Sequence, residues 1–177
     1  SSLVKLDTDG DVVMDTNYMV NAAGFTIHSA IHQSRHDVDC VMHTHTVAGM
    51  AVSAQKSGLL PLAQTSLQFY DNLAYHDYEG IAFDLDERDR LVGDLGDKMA
   101  MILRNHGLLT CGKSVAQAFT IMHSLEKSCQ LQIAAQAGGD LILPTEDVCR
   151  HTAKQFTRSV DTEAEGELDK LAWSALL

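Results

Sequence analysis

Basic residues are scarce in this chain of 177 residues. It has 13 lysines and arginines against 24 aspartates and glutamates, which gives a formal net charge of −11 at pH 7. Because this excess of negative charge repels phosphate groups and anionic lipids, we expect neither nucleic acid nor a membrane surface as a general partner. A local basic pocket for a small anion is still compatible with the composition.

Several sequence signals are missing, and each absence excludes a class of protein. No apolar run approaches the roughly 18 residues of a membrane span, and we find no signal peptide. The lack of a GxGxxG or Walker pattern argues against a dinucleotide-binding or P-loop protein. The four cysteines form neither a CxxC pair nor a disulfide framework, which predicts reduced thiols in a cytoplasmic protein.

The periodicity of apolar residues predicts an α/β protein. Helices are predicted over 21–34, 48–57, 87–98 and 114–137, and strands over 38–46, 99–103 and 108–110. Helices and strands mix without strict βαβ alternation, which favours a layered fold with a mixed or antiparallel sheet over a Rossmann fold. We expect one domain over 1–177, with 140–177 as a helical tail.

Two further stretches are predicted from turn and loop residues. An Asp-Gly turn between the short apolar runs 3–6 and 12–14 predicts a hairpin near the start of the chain. The polar and aromatic stretch 68–84 is predicted to be a loop that forms the rim of a pocket.

Three histidines form the strongest functional pattern in the sequence. His43 and His45 are two residues apart on a predicted strand, so their side chains point to the same face. His106 follows the predicted strand 99–103 and precedes a glycine, at a strand end where ligands tend to gather. Three neutral imidazoles with one open position suit a catalytic Zn²⁺, or Mn²⁺ if oxygen ligands complete the shell. We therefore predict a metal site on these three residues.

Other polar residues leave alternatives open. Arg104 shares the predicted strand face of His106 and could bind a substrate carboxylate in bidentate fashion, or form a structural ion pair. His28 and His32 stand four residues apart on a predicted helix and could bind a metal from one face. Ser29 replaces the glutamate of an HExxH motif, however, and such helix pairs are more often packing or surface residues.

The histidine segments carry a family resemblance. The sequence VMHTHT at 41–46, followed by LRNHGLL at 103–109, resembles the class II aldolase/adducin family. That family includes fuculose-phosphate aldolase, and the resemblance is to its head domain. The similarity runs from residue 1 to about 139. It implies a three-layer α/β/α fold around a mixed, mostly antiparallel sheet, and homotetramers with active sites between subunits. It also implies that His43, His45 and His106 are the metal ligands. Because the chain opens at Ser1 without a methionine and already in strand-like sequence, we expect that an N-terminal segment of the domain precedes it.

One position departs from the pattern of that family. The aldolases use a carboxylate as acid/base and ligand nineteen residues before the first metal histidine, and here that position is Gly24. The neighbouring hydroxyls that hold the sugar phosphate are replaced by Ala22 and Ala23. These side chains can neither transfer a proton nor hydrogen-bond a phosphate, so a standard sugar-phosphate aldolase is not expected. The candidate replacement acid/base groups are three residues of the predicted pocket rim: His76, Tyr78 and Glu79.

The resemblance and this departure together leave three functional hypotheses. The first is a divalent-metal-dependent lyase that performs aldol cleavage or decarboxylation of a small oxygenated substrate through a metal-stabilised enediolate. The second is a metal-binding protein without turnover, and the third is a non-catalytic, adducin-head-like oligomeric scaffold. The three histidines favour the first two hypotheses, because a scaffold has no physical need of convergent imidazoles.

Overall fold

Helices and short strands share the chain in the computed structural model, which describes residues 3–81, 86–160 and 163–176, without the side chains of 158–160, 163–166 and 168. The elements are α1 (Ala22–Ser34), β1 (Cys40–Thr44), α2 (Val47–Ser53), α3 (Gln64–Leu67), β2 (Ala74–His76), α4 (Glu87–Leu95), β3 (Ala100–Leu103), β4 (Gly107–Gly112), α5 (Val115–Ala137), α6 (Glu146–Val160) and α7 (Glu163–Ser174). This order confirms the prediction of an α/β protein.

The four strands form one mixed sheet in the order β1-β4-β3-β2. The β1–β4 and β3–β4 pairs are antiparallel, and the β2–β3 pair is parallel. The sheet is therefore mostly antiparallel, as predicted. Because β2 and β3 run in the same direction, the loops that follow them emerge at the same edge of the sheet.

Strand β2 corrects the prediction that 68–84 is a loop throughout. The strand has only three residues, Ala74–His76. Its pairing partner, β3, lies far along the chain, so no local alternation pattern announces it. Residues 82–84 of the predicted loop lie outside the described residues.

Helices cover both faces of the sheet, which confirms the three-layer α/β/α architecture. One layer consists of α1 and α4, and its core contains Ile27, Ile31, Leu91, Leu95, Met101, Leu103 and Leu109. The other layer includes α2 and α5, and its core contains Val52, Met122, Leu125, Cys129, Ala100, Ile102 and Leu108. Alternate residues of β3 enter opposite layers, as the two-residue period of a strand requires. All four residues of β3 are buried, as expected of a strand covered on both faces.

Helix ends differ from the predicted bounds for local reasons. Helix α4 ends at Leu95 rather than at residue 98, because Gly96 adopts a positive φ of 56° that ends the helix. Helix α2 begins at Val47, where the side chain of Thr46 accepts the backbone N–H of Gly49 as an N-cap. The predicted hairpin near the start is reduced to a single antiparallel bridge between Leu6 and Val12.

Helices α6 and α7 occupy the part of the chain predicted as a helical tail, of which residues 161, 162 and 177 lie outside the described residues. Helix α7 packs on α5, where the rings of Phe119 and Trp173 meet edge to face with their centroids 5.4 Å apart. Within the described ranges, no helix combines the length and the apolar character needed to cross a membrane.

The start of β4 has no room for a side chain. A Cβ atom on Gly107 would overlap the backbone carbonyl of Thr44 and approach Cδ2 of His45 to 3.3 Å. We therefore expect Gly107→Ala to lower the free energy of unfolding by about 1–3 kcal/mol, as overpacking usually does. The measurement is urea denaturation of the metal-free protein.

The matched control is Gly93→Ala in the middle of α4, where an added Cβ meets nothing within 4 Å. This substitution is expected to raise the free energy of unfolding by about 0.5–1 kcal/mol, since alanine is the better helix former. Equal effects at the two glycines would contradict the close approach of β1 and β4.

Candidate metal centre

The structure brings the three predicted histidines together. The ring centroids of His43, His45 and His106 are 4.6 to 4.8 Å apart in every pair. One nitrogen from each ring lies within 4.8 Å of the others, so the three side chains form a group that could hold a metal ion. His45 is exposed and the other two are half-buried, which leaves one side of the group open to a substrate.

Strand pairing and one tight turn produce this arrangement. His43 lies on β1, opposite Leu109 of β4, and His45 follows the end of the strand. The turn between β3 and β4 carries His106, whose backbone N–H donates to the carbonyl of Leu103 over 3.1 Å. Asn105 adopts a positive φ of 55° in that turn, a conformation that asparagine tolerates better than most residues.

A backbone carbonyl fixes the orientation of His43. Its Nδ1 lies 2.8 Å from the carbonyl oxygen of Leu108, so Nδ1 carries the proton and donates. The lone pair is then on Nε2, which faces Nε2 of His45 at 2.7 Å. Metal-ligating histidines usually have such a partner on the other ring nitrogen. The donor set and its orientation therefore fit a divalent metal that accepts nitrogen ligands.

The surroundings keep the rings of His43 and His106 neutral. Burial lowers the pKa of His106 to about 4, and the nearby imidazoles of His43 and His45 lower it as well. Burial also lowers the pKa of His43, partly offset by its hydrogen bond to Leu108. A metal binds the unprotonated imidazole, so both rings are in the binding form at neutral pH.

Helix α1 carries another histidine, which interacts electrostatically with His43 of this group. His28 is half-buried, and its pKa is lowered by burial and by electrostatic interaction with His43. His32, its predicted partner, is exposed. The sequence left a shared metal role for the two histidines open and favoured packing or surface positions; in the structure only His28 is half-buried. The sequence signal for the partial burial of His28 was its position one helical turn before the apolar Ile31, which is buried.

Position Gly24 lies in the first turn of the same helix. A Cβ atom added there would contact only atoms of Asn21, at 3.7 to 3.9 Å. The side chain of Asn21 caps this helix by accepting the backbone N–H groups of Ala23 and Gly24. The site where the family pattern has a carboxylate therefore offers only backbone and a capping amide.

The three candidate acid/base residues have different surroundings. The ring centroid of Tyr78 is 6.4 Å from that of His106, and the residue is half exposed. His76 is buried and contacts carboxylates of α4, and Glu79 accepts a hydrogen bond of 2.8 Å from Nε of Arg90, which lowers its pKa. Tyr78 and His106 line a common narrow cleft. The catalytic roles of all three stay predictions.

Arg104 also lines this cleft, and its guanidinium has two partners in the fold. Nη1 donates to the carbonyl of Gln55 over 2.8 Å, and the guanidinium carbon lies 4.3 Å from the ring centroid of Tyr75. These partners differ from the ion pair that the sequence suggested as the structural alternative. A role for Arg104 in substrate binding stays a prediction.

Comparison with known proteins shows the family. The model of the Class II Aldolase and Adducin N-terminal domain matches residues 1–133. A Pseudomonas aeruginosa protein provisionally named an aldolase class 2 protein is 49% identical over 177 residues, which cover 100% of this chain and 68% of the relative. Mouse alpha-adducin is 46% identical over 169 residues, which cover 93% of this chain and 23% of the adducin. The chain therefore belongs to the class II aldolase and adducin family.

Solved structures agree with this assignment. The crystal structure of an aldolase II superfamily protein from Pseudomonas syringae has a TM-score of 0.90 and 52% identity, covering 99% of this chain and 69% of that one. L-fuculose 1-phosphate aldolase from Glaciozyma antarctica has a TM-score of 0.76 and 34% identity, covering 88% of this chain and 60% of that one. The fold is the class II aldolase fold.

The lowered pKa of His106 predicts how the stability of the metal-free protein depends on pH. The ring has a pKa of about 4 in the folded protein against 6.5 as its ordinary value. Between these values the unfolded chain takes up a proton that the folded site does not, so the free energy of unfolding falls as the pH is lowered through this window. The measurement is urea denaturation at a series of pH values.

His106→Gln removes this titration, so its stability is expected to fall less steeply with decreasing pH than that of the natural sequence. The matched control is His151→Gln, at an exposed histidine on α6, which should keep the original steepness. The same steepness in His106→Gln would contradict the interpretation that His106 is held neutral in the folded protein.

Proposed function

We propose that the chain is a divalent-metal-dependent carbon–carbon lyase with its metal on His43, His45 and His106. The observation that carries this proposal is the convergence of three imidazoles, each with a nitrogen within 4.8 Å of the others. The family and the similarity to a solved L-fuculose 1-phosphate aldolase support the same reaction class. The proposed chemistry is aldol cleavage or decarboxylation of a small oxygenated molecule.

Zinc is the metal that the donor set favours. Neutral imidazoles are good ligands for Zn²⁺, and three of them with an open position are typical of its catalytic sites. Mn²⁺ would need carboxylate or water oxygens to complete its shell. When bound, the cation would act as a Lewis acid that stabilises the negative charge developing on a substrate oxygen as the carbon–carbon bond breaks.

Tyr78 is the proposed proton donor. Its phenol is a hydrogen-bond donor, its ring lies beside His106, and it is 53% exposed, so it can reach a substrate in the cleft. His76 and Glu79 are engaged by charged side chains of α4, which makes them weaker candidates for proton transfer. Arg104 is proposed to attract a substrate carboxylate to the same cleft.

The residues of α1 argue for a substrate without a phosphate group. Ala22, Ala23 and Gly24 offer no side-chain hydroxyl or carboxylate at the place where the family pattern has them. Decarboxylation needs charge stabilisation at the metal but no acid/base at Gly24. A small hydroxy acid or keto acid is therefore a better candidate than a sugar phosphate.

The wider setting follows from the family and from the cysteines. Relatives in this family are often homo-oligomers, and we propose a homotetramer for this chain. Four free cysteines, three of them buried, support a reducing compartment such as the cytoplasm. The excess of acidic residues supports a small molecule rather than nucleic acid or a membrane as the partner.

A non-catalytic scaffold is the second candidate function, because 93% of the chain matches alpha-adducin at 46% identity. A scaffold would not require the three imidazoles to bind a metal. The orientation of His43 by the Leu108 carbonyl argues for a metal site, because this arrangement fixes a lone pair toward the other two rings.

Turnover should require both the metal and Tyr78. We expect metal-stripped protein to be inactive on a panel of hydroxy acids, keto acids and ketoses, and one equivalent of Zn²⁺ to restore release of aldehyde or CO₂. Tyr78→Phe is expected to lower kcat by about 10²–10⁴-fold, the usual contribution of a general acid. Aldehyde is measured with a coupled dehydrogenase and CO₂ with a labelled substrate.

The control is Tyr70→Phe, which removes a hydroxyl that interacts with Glu146 of α6 and does not line the cleft of Tyr78 and His106. It should leave kcat unchanged. Turnover that is equal with and without metal would contradict the proposal. Metal binding without turnover on any substrate would favour a binding protein, and the absence of both would favour the scaffold.

A further inference from the structure

A buried imidazole at the end of β2 lies between two carboxylates of α4. Nδ1 of His76 is 2.7 Å from Oδ2 of Asp94, and Nε2 is 3.4 Å from Oε1 of Glu87. The side chain of His76 is 4% exposed and that of Glu87 is 10% exposed, whereas that of Asp94 is 48% exposed. The short Nδ1 contact is the stronger of the two, because hydrogen bonds weaken as they lengthen.

The two carboxylates that contact His76 stand near opposite ends of α4. Glu87 is the first residue of α4, and Asp94 stands seven positions later, two turns along the same face. One ring therefore contacts both ends of the helix. Ala74, which shares the β2 face of His76, is buried in the same layer without any polar group. A buried position on this face of β2 can thus be filled by an apolar side chain, so burial does not by itself account for the imidazole of His76.

The other face of the strand end is fixed as well. The hydroxyl of Tyr75 accepts the backbone N–H of Leu59 over 3.0 Å, and its ring lies under the guanidinium of Arg104. The backbone carbonyl of His76 accepts the N–H of Arg104 over 2.8 Å, which extends the β2–β3 ladder toward the turn of His106. The end of β2 is thus joined to both helical layers and to the strand that leads to the candidate metal centre.

The segment after β2 returns to the same helix. Glu79 pairs with Arg90, in the middle of α4, so contacts with α4 lie on either side of Tyr78 in the sequence. Tyr78 is two residues beyond His76 and has its ring 6.4 Å from that of His106. The position of its phenol therefore depends on how β2 is held against α4.

We propose that His76 is a positioning residue, which through Asp94 and Glu87 holds the β2 end so that Tyr78 faces the candidate metal centre. This inference rests on the proposed function, since the position of Tyr78 matters only if a metal and a substrate meet there. It assigns His76 a role other than the proton transfer considered from the sequence. Asp94 and Glu87 acquire a role that no sequence motif indicated.

The test measures the distance of Tyr78 from the metal directly, without any substrate. The full chain is prepared with 3-fluorotyrosine, and the ¹⁹F resonance of Tyr78 is assigned by its absence in Tyr78→Phe. Co²⁺ is added as a paramagnetic probe, with Zn²⁺ as the diamagnetic reference. Paramagnetic broadening falls steeply with distance, so in the natural sequence the Tyr78 resonance should be the most strongly broadened of the four tyrosines.

Two pairs of variants test the contacts of His76. His76→Ala and Asp94→Ala should each lose most of the broadening at Tyr78 while Co²⁺ still binds, as followed by its visible absorption. His76→Asn keeps a donor near the Nδ1 position and should retain more of the broadening than His76→Ala. The matched control is Asp89→Ala, which removes an exposed carboxylate from the same helix and should behave as the natural sequence does.

Each outcome decides between the two proposals. Equal broadening in the natural sequence, His76→Ala and Asp94→Ala would overturn the positioning role and leave the metal centre standing. No Co²⁺ binding by the natural sequence would overturn the proposed function, and the positioning role with it. If His76→Ala does not fold, Asp94→Ala carries the test, because its side chain is half exposed and its loss leaves no cavity.

Discussion

The pairing of β1 with β4 is the constraint on which the rest of the structure depends. It places His43 and His45 beside the turn that carries His106, more than sixty residues along the chain. A slip of one residue in this register would send His43 to the opposite face of the sheet. The glycine at the start of β4 permits the two backbones to approach, since any side chain there would overlap the carbonyl of Thr44.

The pairing of β1 with β4 also determines the electrostatics of the histidine group. Three imidazoles this close cannot all be protonated without mutual repulsion, and burial adds to the cost of charge on His106 and His43. His43 and His106 are therefore neutral nitrogen donors in a protein with a net charge of −11. The overall charge attracts cations in general, whereas the donor set favours a metal that accepts imidazole. Together they favour the binding of a cation by the three histidines at a site where α1 supplies no carboxylate.

The sequence predicted the parts of the molecule that leave a local pattern. The spacing of His43 and His45 indicated one strand face, and the Asn-His-Gly turn indicated a strand end, so the convergence of the three imidazoles could be predicted from the sequence. The long helix α5 was predicted for the same reason, from its apolar periodicity and its Ser114 cap. The resemblance to the class II aldolase and adducin family then supplied the layers and the mostly antiparallel sheet.

The parts that the sequence did not predict depend on contacts between distant segments. Strand β2 is too short to show alternation, and its existence depends on β3. The contacts of His76 with Asp94 and Glu87 need both that strand and the orientation of α4, so no spacing in the sequence announces them. The same holds for His28, whose interaction with His43 arises only when α1 packs on the sheet.

In the proposed site, one metal ion binds the three imidazoles together. X-ray absorption at the zinc edge, on protein loaded with one equivalent of Zn²⁺, measures this most directly. We expect a first shell of nitrogen or oxygen at about 2.0–2.1 Å, with outer-shell scattering from three imidazoles that decreases in His106→Ala. A shell that contains sulfur, or a spectrum unchanged by that substitution, would place the zinc elsewhere and contradict the account.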